Sequence, residues 1–348
     1  MKKYIEDYIS TIAEWKHCPM ANYVCPVHRA TFLESLSPRG LALIISNFEN
    51  SSEYEKKMIA FRAFQCMMCR LCQNKSRDET SIPDAVAAFR ADMWKANLVP
   101  KKVRDSLKDL KTIANEIEEF RKQGFGLRND KVLLVDPVTL NLAGRKLSVV
   151  SEKLDVAVIV LPASLIQLYN YGLWNHLNML LVCLEELFKQ TMIIVESSLD
   201  SYIVSRTISL NIRTLAEYIR DIGIKFSTIE DKVFCVLNDV PDGDPRCPQT
   251  PLYEIGSSSG GKYWVYTLHE NIPIVPKEFP AYRDTLHAAL FPDIASGIVK
   301  DILKYAHVYD IEVFLTETPE TAEVLTRFGR SIDGVKFFDL ISLLATEG

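Results

Sequence analysis

The segment QCMMCRLCQNKS, residues 65–76, has three evenly spaced cysteines, and these indicate how the N-terminal third of the chain folds. Cys66, Cys69 and Cys72 follow the C-x2-C-x2-C spacing of the iron–sulfur loop in bacterial ferredoxins. In those ferredoxins an x3-C-P extension follows, but this chain has Ser76 at the cysteine position. Three thiolates do not complete a four-iron site, so a cluster here needs a fourth ligand from another segment.

The fourth ligand is predicted from the way ferredoxin motifs pair. In two-cluster ferredoxins the last cysteine of each run, which precedes a proline, ligates the other cluster. The first loop of this chain contains such a dipeptide, Cys25-Pro26, within NYVCPVH. Together with Cys66, Cys69 and Cys72, Cys25 gives a complete set of four thiolates. The spacing therefore predicts one [4Fe-4S] cluster on these residues.

The ligand positions of the two motifs that remain unused do not form a second cluster site. The same spacing assigns them to Trp15, Cys18, Ala21 and Ser76, which offer a single thiolate and cannot hold a four-iron cluster. The surviving cysteines are thus the four that serve one site. We interpret Cys18 as a spare thiol and Trp15 as an aromatic side chain that fills the volume of the lost site.

Other interpretations of the cysteines and nearby histidines stay open at this point. Cysteine is often a small buried hydrophobic residue, and thiolates also bind zinc. Structural zinc sites more often use two separated C-x2-C pairs, so the spacing favours a cluster over zinc and over no metal. His17 and His28 flank the cysteines and could tune a cluster through hydrogen bonds. We favour solvated loop histidines, because the sequence offers them no partner.

Composition excludes some functional classes. A length of 348 residues suggests two or three domains. The net charge of −5 argues against nucleic-acid binding, which needs clustered Lys and Arg. Five of the eight cysteines lie in the first 72 residues, which is not typical of a disulfide framework. The opening residues MKKYIEDYIS lack the apolar stretch of a signal peptide, so we expect a cytoplasmic protein.

One uncharged stretch raises the question of a membrane span. No charged residue lies between Asp155 and Glu185. A transmembrane helix needs about 20 predominantly apolar residues, and Pro162, Asn170 and other polar residues interrupt this run. We interpret it as a buried strand followed by a largely buried helix. Membrane association is expected only through partners, if at all.

The pattern of hydrophobic residues predicts an α+β multidomain fold. Helices are expected at residues 1–16, 41–48, 51–65, from Ser81 onward, and at 100–123. Short β-branched runs then alternate with helical segments, which indicates βα units and parallel sheets. The predicted strands are KVLLVD, DVAVIVL, TMIIVE, IKFSTIE, VFCVLN, YWVY, IEVFL and VKFF, and the later helices are 211–222, 280–307 and 318–328.

A Gly- and Pro-rich stretch, residues 241–262, marks a boundary between two α/β halves. The predicted organisation is therefore a helical ferredoxin-like iron–sulfur domain over residues 1–125, followed by two small α/β domains with parallel sheets. The first α/β domain is expected at residues 126–245 and the second at 246–348.

The N-terminal motifs resemble a known family. CPVHRATFLESLSPRG followed by CMMCRLCQNKS resembles the two-cluster domain of the heterodisulfide reductase D-type iron–sulfur proteins. That group includes the iron–sulfur subunits of glycolate oxidase and of anaerobic glycerol-3-phosphate dehydrogenase. The resemblance covers about residues 15–95. It implies a helical ferredoxin-like domain that passes electrons.

The C-terminal part departs from that family. The family's two α/β domains carry C-C-G and C-x-x-C motifs, but this chain contains no Cys-Cys pair, and Val236 follows Cys235. In DIEVFLTETPETAEVL, Thr316, Thr318 and Pro319 stand where the resemblance predicts cysteines. The resemblance therefore implies that the fold is kept and that a second metal site is lost.

These observations lead to a hypothesis about function. We expect an electron-transfer and scaffold subunit of a multi-subunit oxidoreductase, with no catalytic residues of its own. Its partners would be other subunits of the complex, either a flavoprotein or an iron–sulfur subunit that contains C-C-G motifs. The alternative is a non-catalytic structural subunit whose cluster or zinc only stabilises the fold. A stand-alone enzyme using the α/β cleft is a third hypothesis, for which the sequence names no residues.

Overall fold

A computed structural model describes most of the chain. The described residues are 3–75, 81–123, 125, 130–224, 234–237, 284–308, 313–329 and 335–346. They are mostly helical and include two short parallel sheets. The expected α+β class is confirmed at this level.

Short helices make up the N-terminal third. They are α1 (Ile9–Trp15), α2 (Pro26–Thr31), α3 (Pro38–Ser46), α4 (Glu53–Phe64), α5 (Ile82–Lys95), α6 (Lys101–Ser106) and α7 (Leu110–Lys122). Single turns of 3-10 helix occur at Tyr4–Tyr8, Met20–Asn22, Glu34–Leu36, Phe48–Asn50 and Leu71–Lys75. Cys25 comes directly before α2, and the other three predicted ligands lie between α4 and α5.

Side-chain caps explain where several of these helices begin. Ser52 and Glu55 form a capping box at α4, and the hydroxyl of Ser81 accepts a hydrogen bond from the amide of Asp84 at α5. The single helix predicted at 100–123 is wrong, because the chain forms α6 and α7 instead. Leu107 is extended, and the carboxylate of Asp109 caps α7 by accepting from the Thr112 amide at 3.0 Å.

The first sheet has four parallel strands in the order β2-β1-β3-β4. The strands are β1 (Lys131–Val135), β2 (Ala157–Val160), β3 (Met192–Val195) and β4 (Ile212–Thr214). The associated helices are α8 (Pro137–Leu154), α9 (Leu165–Asn170), α10 (Trp174–Phe188), α11 (Ser198–Ser205) and α12 (Leu215–Asp221). The predicted strands KVLLVD, DVAVIVL and TMIIVE are therefore confirmed.

The helix predicted at residues 211–222 is wrong in its first part. Ile212 and Thr214, both β-branched, belong to strand β4, and the helix starts only at Leu215. The hydroxyl of Thr214 accepts from the amide of Glu217 at 3.1 Å, which marks the helix start.

The second sheet has three parallel strands in the order β5-β6-β7. They are β5 (Phe234–Leu237), β6 (Val313–Thr316) and β7 (Lys336–Asp339), and the helices are α13 (Thr285–Leu290), α14 (Pro292–Val308), α15 (Pro319–Gly329) and α16 (Leu340–Thr346). Strand β5 pairs with β6, so the second sheet begins before residue 246. The predicted strands IKFSTIE (apart from Ile224) and YWVY, and the boundary at 241–262, lie outside the described residues.

The uncharged run between Asp155 and Glu185 forms β2, α9 and most of α10. This matches the prediction of a strand followed by helix. In the described ranges, no helix combines the length and the apolar character needed to cross a membrane.

The sequence Ser37-Pro38-Arg39-Gly40 (SPRG) is explained by its position at the start of α3. The hydroxyl of Ser37 accepts a hydrogen bond from the amide of Gly40 at 2.9 Å, and Pro38 occupies the first turn of α3. A Cβ atom on residue 40 would lie 1.8 Å from the carbonyl oxygen of Glu34. Only glycine allows α3 to approach this preceding turn so closely.

We predict that Gly40→Ala destabilises the protein by about 1–3 kcal/mol, because the new methyl group overlaps backbone atoms. Gly144→Ala is the matched control. Gly144 lies in α8, where a Cβ meets only the side chain of Leu140 at 3.4 Å. There alanine should leave the protein as stable or add up to about 1 kcal/mol. Urea denaturation measures both, and equal stability of the two variants would contradict this packing.

Candidate metal centre

The four cysteines predicted as ligands line one cavity. Cys25 reaches it from the start of α2, and Cys66, Cys69 and Cys72 reach it from the loop after α4. The other residues that line the cavity are apolar apart from one arginine: Pro26, Val27, Leu36, Pro38, Leu41, Met67, Arg70, Ile82, Pro83 and Val86. All four thiols are free, so no disulfide occupies the site.

The cysteine loop has a backbone suited to sulfur anions. Met68 and Arg70 adopt left-handed conformations, with φ of 61° and 64°. Non-glycine residues in this region are costly and persist where the surroundings hold them. The amide of Met68 donates to the sulfur of Cys66, and the amide of Leu71 donates to the sulfur of Cys69. Alternating right- and left-handed residues form anion-binding concavities of the kind found at iron–sulfur sites.

Cys25 receives similar support from α2. It stands at the N-cap with an extended backbone, and Pro26 takes the first helical position. The backbone amides of Val27 and His28 donate to its sulfur. Three of the four sulfurs thus accept amide hydrogen bonds, which favour the thiolate form.

The thiols are electrostatically coupled. Burial raises the pKa of Cys25 to about 12 and also raises the pKa of Cys66, Cys69 and Cys72. All four line the same cavity, and negative charge on Cys66 further raises the pKa of the Cys25, Cys69 and Cys72 thiols. Without a cation the four groups therefore stay neutral. A bound metal would remove their protons.

Among the described residues that line the cavity, the donor set has four thiols and no carboxylate or imidazole. In the part of the chain that the structure describes, no group of three His, Cys, Asp or Glu side chains is arranged to hold a metal ion. Zinc holds each sulfur at about 2.3 Å from one point, so the four sulfurs crowd around it. In a four-iron cluster each thiolate binds a different iron, and the sulfurs stay farther apart. Four thiols around an apolar cavity could hold such a cluster.

A buried ion pair fixes the cysteine loop, and the sequence did not point to it. The guanidinium of Arg70, only 1% exposed, donates to Asp84 at 2.8 Å and to the hydroxyl of Tyr202 at 2.6 Å. Asp84 also accepts from Tyr169, from Tyr202 at 2.7 Å and from Arg206 at 2.7 Å. These contacts connect the loop to α5, α9 and α11.

The charge state of Asp84 follows from these contacts. Burial alone raises the pKa of a carboxyl group, but the neighbouring Arg70 and Arg206 outweigh it and hold the pKa of Asp84 well below its usual range. Asp84 is therefore an anion over the whole neutral range, and it balances the charge of Arg70.

A second set of contacts holds the start of the loop. The guanidinium of Arg90 donates to the carbonyl oxygens of Ala63 and Cys66. Nε2 of His287 lies 3.0 Å from the carbonyl oxygen of Gln65. His287 belongs to α13, so a residue more than two hundred positions away contacts the residue before Cys66. No sequence motif pointed to this contact.

The C-terminal part also packs against the segment that follows Cys25. Helix α14 packs on α2, where Gly297 lies against Ala30. Arg29 and Asp301 form an ion pair of 2.6 Å across the same contact. Both cysteine segments are therefore in contact with elements of the α/β part.

The remaining sequence predictions concern the residues of the incomplete second site and the two nearby histidines. Trp15 and Ala21 are fully buried in the core, while Cys18 is half-buried and does not line the cavity. His17 is exposed, and Nδ1 of His28 lies 3.2 Å from the carbonyl oxygen of Leu33. Ser76 lies outside the described residues.

At the carboxyl ends of β1, β3 and β6, the side chains form a polar junction. The hydroxyl of Ser198 donates to Glu317 at 2.7 Å, and the hydroxyl of Thr139 donates to Glu320 at 3.1 Å. Thr316 and Thr318 are buried at the same edge, in the strand–loop–helix that the sequence predicts. Here the chain places hydroxyl and carboxylate groups where the resemblance leads one to expect cysteines.

Comparisons with protein-family models, curated proteins and solved structures found no match to this chain. The resemblance to heterodisulfide reductase D-type proteins therefore stays a prediction from its motifs.

We predict that Asp84→Asn destabilises the protein by about 3–5 kcal/mol, because it leaves the buried Arg70 without its carboxylate. Asp109→Asn is the control, since Asp109 caps an exposed helix start and asparagine caps about as well. Its cost should stay below about 0.5 kcal/mol. Urea denaturation of the metal-free proteins measures both values. Similar small losses in the two variants would contradict a buried ion pair.

We also predict an acid-sensitive contact at His287. Burial, assisted by the charge of Arg90, lowers the pKa of His287 to about 3 from 6.5. Between these values the unfolded chain binds a proton that the folded protein excludes. The free energy of unfolding should therefore fall as the pH drops below 6.5, by up to about 1.4 kcal/mol per pH unit from this group.

His287→Gln should flatten this dependence. Glutamine can still donate to the carbonyl of Gln65 but does not titrate. Denaturation curves of metal-free wild type and variant, from pH 7 to about pH 4.5, measure the two slopes. Parallel slopes would show that His287 is not held neutral.

Proposed function

We propose that the chain binds one [4Fe-4S] cluster through Cys25, Cys66, Cys69 and Cys72 and acts as an electron-transfer and scaffold subunit of a multi-subunit oxidoreductase. The observation that carries this proposal is the meeting of four free thiols, from two separate segments, at one apolar cavity. Three of these sulfurs accept backbone amide hydrogen bonds, a property of groups that function as anions.

When bound, the cluster would accept and release single electrons. The residues of the chain have separate tasks around it. Apolar side chains such as Val27, Leu41 and Val86 exclude water from the cavity. The amides of Val27, Met68 and Leu71 donate to the ligand sulfurs and stabilise negative charge there. Hydrogen bonds to the sulfurs and exclusion of solvent are two of the factors that set a cluster's potential.

The proposed domain organisation starts from the division predicted from the sequence. Residues 1–125 form a helical ferredoxin-like domain, and the α/β part that follows serves as a docking scaffold. The sequence divides this part into 126–245 and 246–348, but β5 (Phe234–Leu237) already belongs to the second sheet. The partners are a flavoprotein or an iron–sulfur subunit with C-C-G motifs, and the complex works in the cytoplasm. The Glu, Ser and Thr side chains after β1, β3 and β6 support a role without a second metal site at this edge of the sheets.

A structural role is the second candidate, and a specific observation favours it. The contacts of Arg70, Arg90 and His287 already join the cysteine loop to the α/β part. A metal that also joins Cys25 to this loop would add folding free energy directly. The two candidates differ in one property, because only electron transfer requires a cluster that is reduced and reoxidised without damage.

The ligand set is tested with Cys25→Ser and Cys18→Ser, both purified without oxygen. Wild type and Cys18→Ser should contain equal iron and acid-labile sulfide, because Cys18 does not line the cavity. Cys25→Ser should lose most of its iron, since it lacks one of four thiolates. Equal iron in all three proteins would contradict the proposed ligands.

The electron-transfer role is tested on the loaded wild type. Reduction with dithionite followed by reoxidation should restore the original absorbance over repeated cycles. A cluster that cannot be reduced, or is destroyed by reduction, would leave the structural role as the better account.

A further inference from the structure

Arg90 is a buried cation next to the proposed cluster site. It lies on α5, and its side chain is only 1% exposed. Its guanidinium donates to three backbone carbonyl oxygens: Ala63 at 2.7 and 3.1 Å, Cys66 at 2.6 Å, and Asn170. Cys66 is one of the four proposed ligands, so Arg90 is bonded directly to the backbone of a ligand residue.

The acceptors of Arg90 are all neutral. In the described part of the chain Arg90 forms no ion pair, whereas the equally buried Arg70 lies 2.8 Å from the carboxylate of Asp84. Asp284 interacts with Arg90 only over a longer distance. Its carboxylate accepts instead from the amide of His287 at 2.8 Å and from the side chain of Asn170 at 3.3 Å.

A buried charge that lacks a counterion is unfavourable, because carbonyl dipoles replace only part of its hydration. The guanidinium of Arg90 donates to the carbonyl oxygen of Cys66 at 2.6 Å, so negative charge on Cys66 acts on Arg90 at short range. Cys66 bears such charge only as a thiolate, which is its state when a metal is bound. Four thiolates and the sulfides of a cluster carry net negative charge, and reduction adds one more negative charge.

We propose that Arg90 is the counter-charge of the cluster. Its positive charge lies next to the ligand residue Cys66, stabilises the reduced state and so keeps the reduction potential high. This inference rests on the proposed cluster. Arg90 acts as a positioning residue because its guanidinium donates to the backbone of the ligand residue Cys66. Net charge around a cluster is one of the factors that set its potential.

Arg90→Gln and Arg90→Lys separate charge from hydrogen bonding. Potentials are measured by redox titration with absorbance and EPR detection, after iron and sulfide have been assayed. Arg90→Gln should lower the equilibrium constant for reduction at least tenfold, a negative shift of about 59 mV for one electron. Arg90→Lys keeps the charge and should stay closer to wild type. Arg121→Gln removes an exposed arginine paired with Glu186 and should not shift the potential.

Asp284→Asn provides a test that leaves Arg90 intact, in case Arg90→Gln does not fold. Asparagine can still cap α13, but it no longer offsets the charge of Arg90. At pH 8 the potential should therefore shift in the positive direction. This sign is opposite to that expected for Arg90→Gln, because Asp284→Asn removes a negative charge and Arg90→Gln a positive one.

The outcomes are distinct. Potentials of Arg90→Gln and Asp284→Asn equal to that of wild type would overturn the role of Arg90 while leaving the cluster in place. Equal negative shifts in Arg90→Gln and Arg90→Lys would assign the effect to hydrogen bonds instead of charge, and would also overturn it. Wild type without iron would overturn the cluster, and the role of Arg90 with it.

Discussion

The ion pair between Arg70 and Asp84 is the interaction on which the arrangement of the cysteine loop depends. Both groups are buried, and each would be strongly unfavourable alone. The guanidinium of Arg70 reaches Asp84 on α5 and the hydroxyl of Tyr202 on α11 from the edge of the cavity. Arg70 itself has a left-handed backbone conformation, with φ of 64°. A buried ion pair adds little net stability, but it selects one conformation of the loop over others.

The site is therefore held from three directions. Arg70 fixes the middle of the loop, while Arg90 and His287 fix its start through the carbonyl oxygens of Cys66 and Gln65. The segment of Cys25 is fixed separately, because α2 packs on α14. The apolar cavity lies where these elements meet. A metal bound there would connect parts of the chain that are far apart in sequence, so metal binding and folding should be coupled.

The sequence predicted local features well. Cysteine spacing identified the four side chains that meet at the cavity, because a ferredoxin-type loop carries its geometry in a few consecutive residues. The short β-branched runs at 131–135, 157–160 and 192–195 were recognised as strands for the same reason. The break between α6 and α7 was missed, since it depends on the capping side chain of Asp109, which had the appearance of one more charge in a long helix.

Features that depend on distant contacts could not be predicted. Arg70 and Arg90 are ordinary charged residues in the sequence, and their burial follows only from partners such as Asp84, Tyr202 and Asn170. The role of His287 likewise follows from packing of α13 against the loop. Strand β4 has only three residues, too few for a periodic pattern, and its pairing with β3 determines its conformation.

The most direct test of this account is the metal content of wild-type protein purified without oxygen. Iron, zinc and acid-labile sulfide are measured on one sample, together with an EPR spectrum after reduction with dithionite. The account predicts about four irons and four sulfides per chain, with the signal of a reduced four-iron cluster. Zinc in place of iron, or no metal with all four thiols free to react, would contradict it.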